Sequence, residues 1–471
     1  MTSLIFYGGI NEIGGNKILI ETAKSRVWLD FGLSFHKQGL YYDEWTNPRK
    51  YNGLTDYFEL GLLPQVKGLY RSDFLKKSGV KEEKLAHDAV FLSHAHADHA
   101  NDIEFLHKDI EIHCGETAKL IMKSLEETGG CEYLSYTEQF TGLHYKKNPP
   151  KERKINTFRT GNKIKVKDIT IEPIHVDHSM PGRYGMLAYA DGKTIAYTGD
   201  IRLHGARGDL TRDFVNKFIK EKVDVMLCEG TRIDGKPSMT ESQVKEKLKQ
   251  FVLETKGACF VNFPIRDTDR LRTFYEVAKE TDKKLVISLK QTHLIKTLES
   301  DKNLKLPSLK ELLIYVKRKR DGLITEGAEF EEYHKEYAIW EREFINTHNS
   351  VTYKDINKMQ KDILFYCYFF SLGELIDIKP IPKSSYIHSL CEPFNEEMNI
   401  DFERVKNWLD HFGLEFKHAH ASGHAGKDDI KEIVQIINAK KVVPIHTEHA
   451  EVFREFGENI KIINPTGSIK I

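Results

Sequence analysis

The stretch FLSHAHADHA, residues 91–100, places His94, His96, Asp98 and His99 on one short loop. The chain has 21 histidines in 471 residues. At that frequency a His-x-His-x-Asp-His pattern arises by chance with odds on the order of a few in a thousand. In extended backbone His94, His96 and Asp98 point one way, and His99 points the other once the chain turns into a helix. Two ligand sets therefore diverge from one loop. Imidazole nitrogens and carboxylate oxygens suit zinc, with manganese as the carboxylate-richer competitor, so the spacing predicts a centre for two metal ions.

One motif cannot fill two metal shells. His178 in HVDHSMPG and Asp200 in TIAYTGDIR end strand-like runs, where loops carry chemistry on a rigid sheet. His175 competes with His178 for that role. As a carboxylate, Asp200 can bridge two cations, which a neutral imidazole cannot. His424 in ASGHAGKDD precedes a helical pattern, and His446 in VVPIHTEH follows a buried-strand pattern. Taken alone, each of these two also reads as a structural histidine held by hydrogen bonds. Ser422 and Gly423 would let backbone amides approach a phosphate at a helix start, and Ser384 and Ser385 are assigned the same role where the middle of the chain rejoins the rest.

These side chains need rigid elements behind them. Ala89, Val90, Phe91 and Leu92 form a strand that delivers the first motif into its loop. The first part of the chain alternates short apolar strands with glycines, as in SLIFYGG, NKILIET and RVWLDFG, with an irregular segment at 36–75. Further strands follow from 163, with Asp191-Gly192 marking a hairpin between two of them. This pattern predicts an α/β architecture of sheets packed face to face with helices outside. Residues 236–385 alternate helix and strand and read as an inserted α/β domain, so the chain divides into 1–235, 236–385 and 386–471. Within the insert, KRKR at 317–320 is a basic cluster that either grips a phosphate backbone or solvates a helix face.

Composition narrows the setting. Seventy basic residues balance seventy acidic ones, so a polyanionic partner must be met by a local patch and not by net charge. The six cysteines are scattered without a C-x-x-C pair, which predicts reduced thiols in a cytoplasmic protein. The N-terminus lacks a basic, apolar leader. The longest apolar run, 363–372, is about half the length of a membrane helix and reads as core.

Taken in order, SHAHADH, DHSMPG, YTGD, CEGT, ASGHA and PIHTEH resemble the metallo-β-lactamase superfamily, specifically its β-CASP nuclease branch and the ribonuclease J family within it, in the archaeal-type form without a C-terminal extension. The resemblance implies a metallo-β-lactamase αββα sandwich with an inserted β-CASP domain. It implies two zinc ions per chain, one on His94, His96 and His178, the other on Asp98, His99 and His446, with Asp200 bridging. Glu229 of CEGT matches the branch's acidic motif, and His424 the histidine that acts near the scissile phosphate; with Asp98 these form the implied catalytic set. His446 stands where DNA-processing relatives carry valine and so points to RNA. The implied activity is hydrolysis of single-stranded RNA from the 5′ end with endonucleolytic cuts besides, by a homodimer. A metallohydrolase of a small thioester or lactone is the alternative, since one fold serves many reactions. Three departures stand out: the longer segment before the first metal motif, read as a lid or specificity loop; Ala100-Asn101-Asp102 where many members have glycines; and the segment around Arg266 and Arg270, which only loosely resembles the family's phosphate-gripping region.

Overall fold

The computed structural model describes all residues except 44, 130, 139–148, 237 and 392–395. Two mixed sheets face each other. The first runs in the order Ser468–Lys470, Ser3–Gly8, Lys17–Glu21, Arg26–Leu29, Ala89–Phe91, Glu111–Gly115 and Ile155–Phe158, antiparallel up to Arg26–Leu29 and parallel beyond it. The second runs in the order Lys441–Ile445, Val225–Glu229, Lys193–Tyr197, Tyr184–Ala190, Ile169–His175 and Ile164–Val166. Strand alternation explains the packing: in Ser3–Gly8 every second residue is buried, and a period of two puts Leu4 and Phe6 on the same face. Those side chains meet Ile171, Met186, Ile195 and Val443 from the opposing sheet.

Helices close both outer faces. Ile121 and Met122 of Glu116–Glu127 pack with Trp28 and Val90 behind the first sheet. Phe214 and Phe218 of Gly208–Lys220 pack with Ile433 and Val434 of Lys427–Ile437 behind the second. The αββα sandwich of the sequence reading is thus present. The Asp191-Gly192 turn is also as expected: Ala190 pairs with Lys193, and both turn residues have positive φ, 48° and 72°, the geometry of a two-residue type I′ hairpin.

A third sheet forms the inserted domain, in the order Ser350–Val351, Leu313–Tyr315, Lys284–Ser288, Ile363–Tyr366, Cys259–Asn262, Ser385–His388 and Glu415–His418, parallel throughout. Helices cover both of its faces, as an all-parallel sheet requires. The boundary expected at 385 falls inside this sheet, because the last two strands carry the insert to His418.

The segment 36–75 has two characters. Leu54, Tyr57, Leu62, Leu69, Tyr70 and Phe74 are buried against the outer face of the first sheet, whereas Leu40, Tyr41, Trp45 and Tyr51 are exposed. Its second half is therefore core and not a lid. Among the described residues no helix is long and apolar enough to cross a membrane, and all six cysteines are free thiols.

Candidate metal centre and acid-base pair

The centre lies where strand ends of the two facing sheets meet. The loop after Ala89–Phe91 brings His94, His96, Asp98 and His99; the loops after Ile169–His175, Lys193–Tyr197 and Lys441–Ile445 bring His178, Asp200 and His446; and Val225–Glu229 ends on Glu229 itself. Backbone bonds fix the first loop: the Asn16 amide donates to the Asp98 carbonyl at 3.1 Å and the Phe31 amide to that of His99 at 2.8 Å. Gly32 is required here, since a Cβ on it would fall 1.9 Å from the Asp98 carbonyl carbon. His446 adopts φ 52°, held by its amide bond to the Gly9 carbonyl at 2.7 Å; such backbone persists where its surroundings over-determine it.

Three of the histidines are oriented through Nδ1. His94 donates to Ser93 Oγ at 2.9 Å, His99 to Asp30 Oδ2 at 2.7 Å, and His446 to Thr231 Oγ1 at 2.8 Å. Asp30 in turn accepts from the Ser93 amide and hydroxyl at 2.6 and 2.7 Å and from the Tyr197 hydroxyl. Partners of this kind fix the tautomer and turn Nε2 inward as a lone-pair donor.

The inward atoms fit cations. His94 Nε2, His99 Nε2 and Asp200 Oδ1 are buried without a hydrogen-bond partner, a state that buried polar atoms rarely keep. Asp200 Oδ2 is 3.3 Å from His99 Nε2 and 3.8 Å from His94 Nε2, and Oδ1 is 3.6 Å from His446 Nε2. Asp98 Oδ2 lies 3.2 Å from His446 Nε2. Among the described residues four sets of three donor atoms fall within 4.8 Å of one another, and Asp200 belongs to three of them: with His94 and His96, with His99 and His446, and with His178 and His424. The fourth is His94, Asp98 and His99. His178 therefore gathers with His424 and Asp200, although its ring is also 5.5 Å from that of His96.

The electrostatics agree with a demand for positive charge. Burial holds His94, His96 and His178 well below the usual histidine range, so they stay neutral. Burial also pulls His99 and His446 down, but Asp200 and Asp98 outweigh it and raise both. The carboxyls of Asp98 and Asp200 are pushed up by burial and held low by His99 and His446. Two ionised carboxylates in a dry pocket draw cations, whether protons or metal ions.

Beside this pocket His424 donates from Nδ1 to Glu229, 3.0 Å from Oε2 and 3.2 Å from Oε1. Glu229 is fully buried and accepts from the Ile201 amide at 2.7 Å. A buried carboxylate thus orients a histidine whose side chain remains 19% exposed.

Not every expected residue joins the site. Ser422 and Gly423 lie in the loop ahead of the helix Lys427–Ile437 and not at its first turn. Ser422 Oγ accepts from the His424 amide at 3.1 Å. Gly423 is pressed on the metal centre, since a Cβ there would stand 2.6 Å from His178 Cε1 and 3.0 Å from its Nε2. Gly423→Ala is expected to displace that ring and weaken zinc binding by about 10- to 100-fold, read by competition with a chromophoric chelator; unchanged affinity would mean that the loop yields instead. Ser384 and Ser385 are not brought to the centre. Both are buried, with Ser384 Oγ committed to the Ala258 amide and Ile381 carbonyl and Ser385 Oγ to Thr255, at the start of the strand Ser385–His388. His175 stacks on Tyr184 and joins no donor set. In KRKR, Arg318 pairs with Asp377 and Lys319 with Glu341, in a loop and not on a helix.

Other participants lie outside the candidate ligand set. Asp30 of RVWLDFG ends a strand as Asp200 does, and that shared position was the available signal. Arg202 is wholly buried and joins Asp177 to Glu241 and Asp269, while Arg270 joins Glu241 to Ser389. This network ties the neighbours of His178 and Asp200 to the inserted domain. Arg266, half-buried at the insert's edge, is close enough to help keep His96 neutral.

Residues 72–257 match the beta-lactamase superfamily domain, and residues 414–463 match the Zn-dependent metallo-hydrolase RNA specificity domain. Ribonuclease J of Helicobacter pylori (strain ATCC 700392 / 26695) is 24% identical, covering 95% of this chain and 56% of its own length. Ribonuclease J of Pyrococcus abyssi is 22% identical over 97% of this chain and 93% of its own. This chain thus spans little more than half the length of the Helicobacter relative. A solved structure of a protein of unknown function from Enterococcus faecalis V583 superposes with a TM-score of 0.73 at 22% identity, covering 99% of both chains, which extends the shared fold over the whole chain.

Proposed function

We infer that this chain, a metallo-β-lactamase fold interrupted by a β-CASP α/β domain, is a zinc-dependent ribonuclease of the cytoplasm. It hydrolyses phosphodiester bonds of single-stranded RNA from the 5′ end, with internal cuts as a second mode. One observation carries the reading: the donor atoms of His94, His96, Asp98, His99, His178, Asp200 and His446 converge beside the Glu229–His424 pair. The segment that matches an RNA-specificity description contains both His424 and His446, and the relatives named Ribonuclease J support the same class.

His94, His96 and His178 would hold one ion and Asp98, His99 and His446 the other, with Asp200 between them. Zinc at such a centre supplies Lewis acidity toward a phosphoryl oxygen and acidifies the attacking water. The chain's own residues do the rest. Glu229 fixes His424 with Nε2 free, so that His424 can carry a proton to the departing ribose oxygen. Arg266, half-buried at the insert's edge with its charge felt at His96, offers a cation to the phosphate backbone. A thioester or lactone hydrolase would need neither the insert nor the His424–Glu229 pair.

The test is the zinc-loaded chain acting on single-stranded RNA labelled at either end, with a 5′ monophosphate or triphosphate, beside an Asp98→Ala control. Mononucleotides released from the 5′ end, absent in the control, are expected. Intact RNA with turnover on a thioester panel would overturn the reading. Light scattering checks the homodimer, expected near twice the chain's 54.5 kDa.

A further inference from the structure

A fixed cation already stands inside the metal pocket. Arg183 is 1% exposed, and its guanidinium touches two of the groups that would ligate metal: one terminal nitrogen is 2.5 Å from His96 Nδ1, the other 3.3 Å from Asp200 Oδ2. Its Nε is buried without a partner. The backbone holds it there from both sides, for the Val176 amide donates to the Arg183 carbonyl at 3.0 Å and the Tyr184 amide to the Ser93 carbonyl at 3.0 Å. The residue is thereby pinned between the loop of His178 and the loop of His94.

The contested atoms matter. Asp200 Oδ2 is the oxygen that faces both His94 and His99, and a carboxylate oxygen engaged with a guanidinium is a poorer ligand. His96 Nδ1 accepts from the guanidinium and cannot give the same lone pair to an ion. Arginine does not escape by losing its proton at neutral pH. A dication among His94, His96 and Asp200 would face this charge at close range in a largely buried pocket, where like charges repel more strongly than in water. The other side of the centre differs. Asp98, His99 and His446 bring a second carboxylate, and the guanidinium pairs with Asp200 and His96 and not with these three, although the Asp98 charge also acts on it.

We propose that Arg183 is a resident counter-cation of the His96–Asp200 side, which makes the two metal positions unequal: one ion binds tightly through Asp98, His99, His446 and Asp200, and a second binds weakly, only as the guanidinium gives way. The inference rests on the metal-centre reading above but not on RNA as the substrate.

Zinc alone is the probe. The zinc-free chain is titrated against a chromophoric chelator, and bound metal is counted by mass spectrometry after equilibrium dialysis. Wild type is expected to bind one zinc tightly and a second roughly 100-fold more weakly, whereas Arg183→Met should bring the two affinities within about tenfold by strengthening the weaker. Two equal affinities in wild type, or an Arg183→Met variant with the same or a wider gap, would overturn the proposal. Should Arg183→Met fail to fold, His96→Ala and His446→Ala decide: His96→Ala keeps the tight zinc and His446→Ala loses it, and the opposite pattern refutes the assignment. Failure of wild type to bind zinc at all would instead sink the metal-centre reading, and RNA cleavage is scored separately.

Discussion

Asp200→Ala in the otherwise intact chain is expected to lower RNA cleavage by about 1,000-fold or more, equivalent to about 4 kcal/mol of barrier, and to reduce zinc below one ion per chain. Among the described residues no other side chain has this reach: Asp200 takes part in three of the four close donor sets, with one oxygen facing His94 and His99 and the other facing His446. The substitution also removes the partner of Arg183, leaving a buried guanidinium without its carboxylate. Breaking one side of a buried ion pair typically costs about 3–5 kcal/mol, so the zinc-free variant should melt below zinc-free wild type. Asp200→Asn keeps the shape and removes the charge, and it should behave alike if charge is what the position contributes. Single-turnover cleavage, metal content and thermal unfolding are measured together. Near-normal cleavage with two zinc ions retained in either variant would remove Asp200 from the centre.

The centre was legible where ligands crowd together in sequence and faint where they stand alone. His94 to His99 announce themselves by density, but His424 and His446 depend on a partner placed hundreds of residues away by the fold: Glu229 for one, Asp98 and Thr231 for the other. Asp30 and Ser93 hold the candidate ligands from behind through hydrogen bonds, so no spacing rule marks them. Arg183 was invisible for a different reason, because a cation is the last residue type a metal-binding pattern leads one to place among the ligands. The sheets followed from alternation, as Ser3–Gly8 shows. The end of the insert did not. Glu415–His418 buries only Lys417 among its four residues, so its text looks polar, and only parallel pairing with Ser385–His388 assigns it to the inserted sheet. KRKR misleads in the opposite sense, since a charge run carries no record of the acids that neutralise it across the fold.

His424→Ala is expected to slow RNA cleavage by about 100- to 1,000-fold, the range for losing a positioned proton donor, while two zinc ions remain bound. Glu229 sets the geometry of this pair. It is fully buried, receives the Ile201 amide at 2.7 Å, and takes the Nδ1 proton of His424 at 3.0 Å. That bond leaves Nε2 to hold the proton a leaving ribose oxygen needs. Glu229→Gln should copy most of the loss, because a neutral amide neither stabilises a protonated imidazole nor dictates which nitrogen carries the hydrogen. The leaving group distinguishes this role from metal binding. A nitrophenyl phosphodiester expels a stable phenolate that requires no proton, so both variants should cleave it at close to the wild-type rate while failing on RNA. Equal losses on both substrates, together with zinc loss, would instead make His424 a ligand, as its closeness to His178 and Asp200 would then explain. Equal losses with zinc retained would mean that His424 positions the phosphate and does not protonate the leaving oxygen.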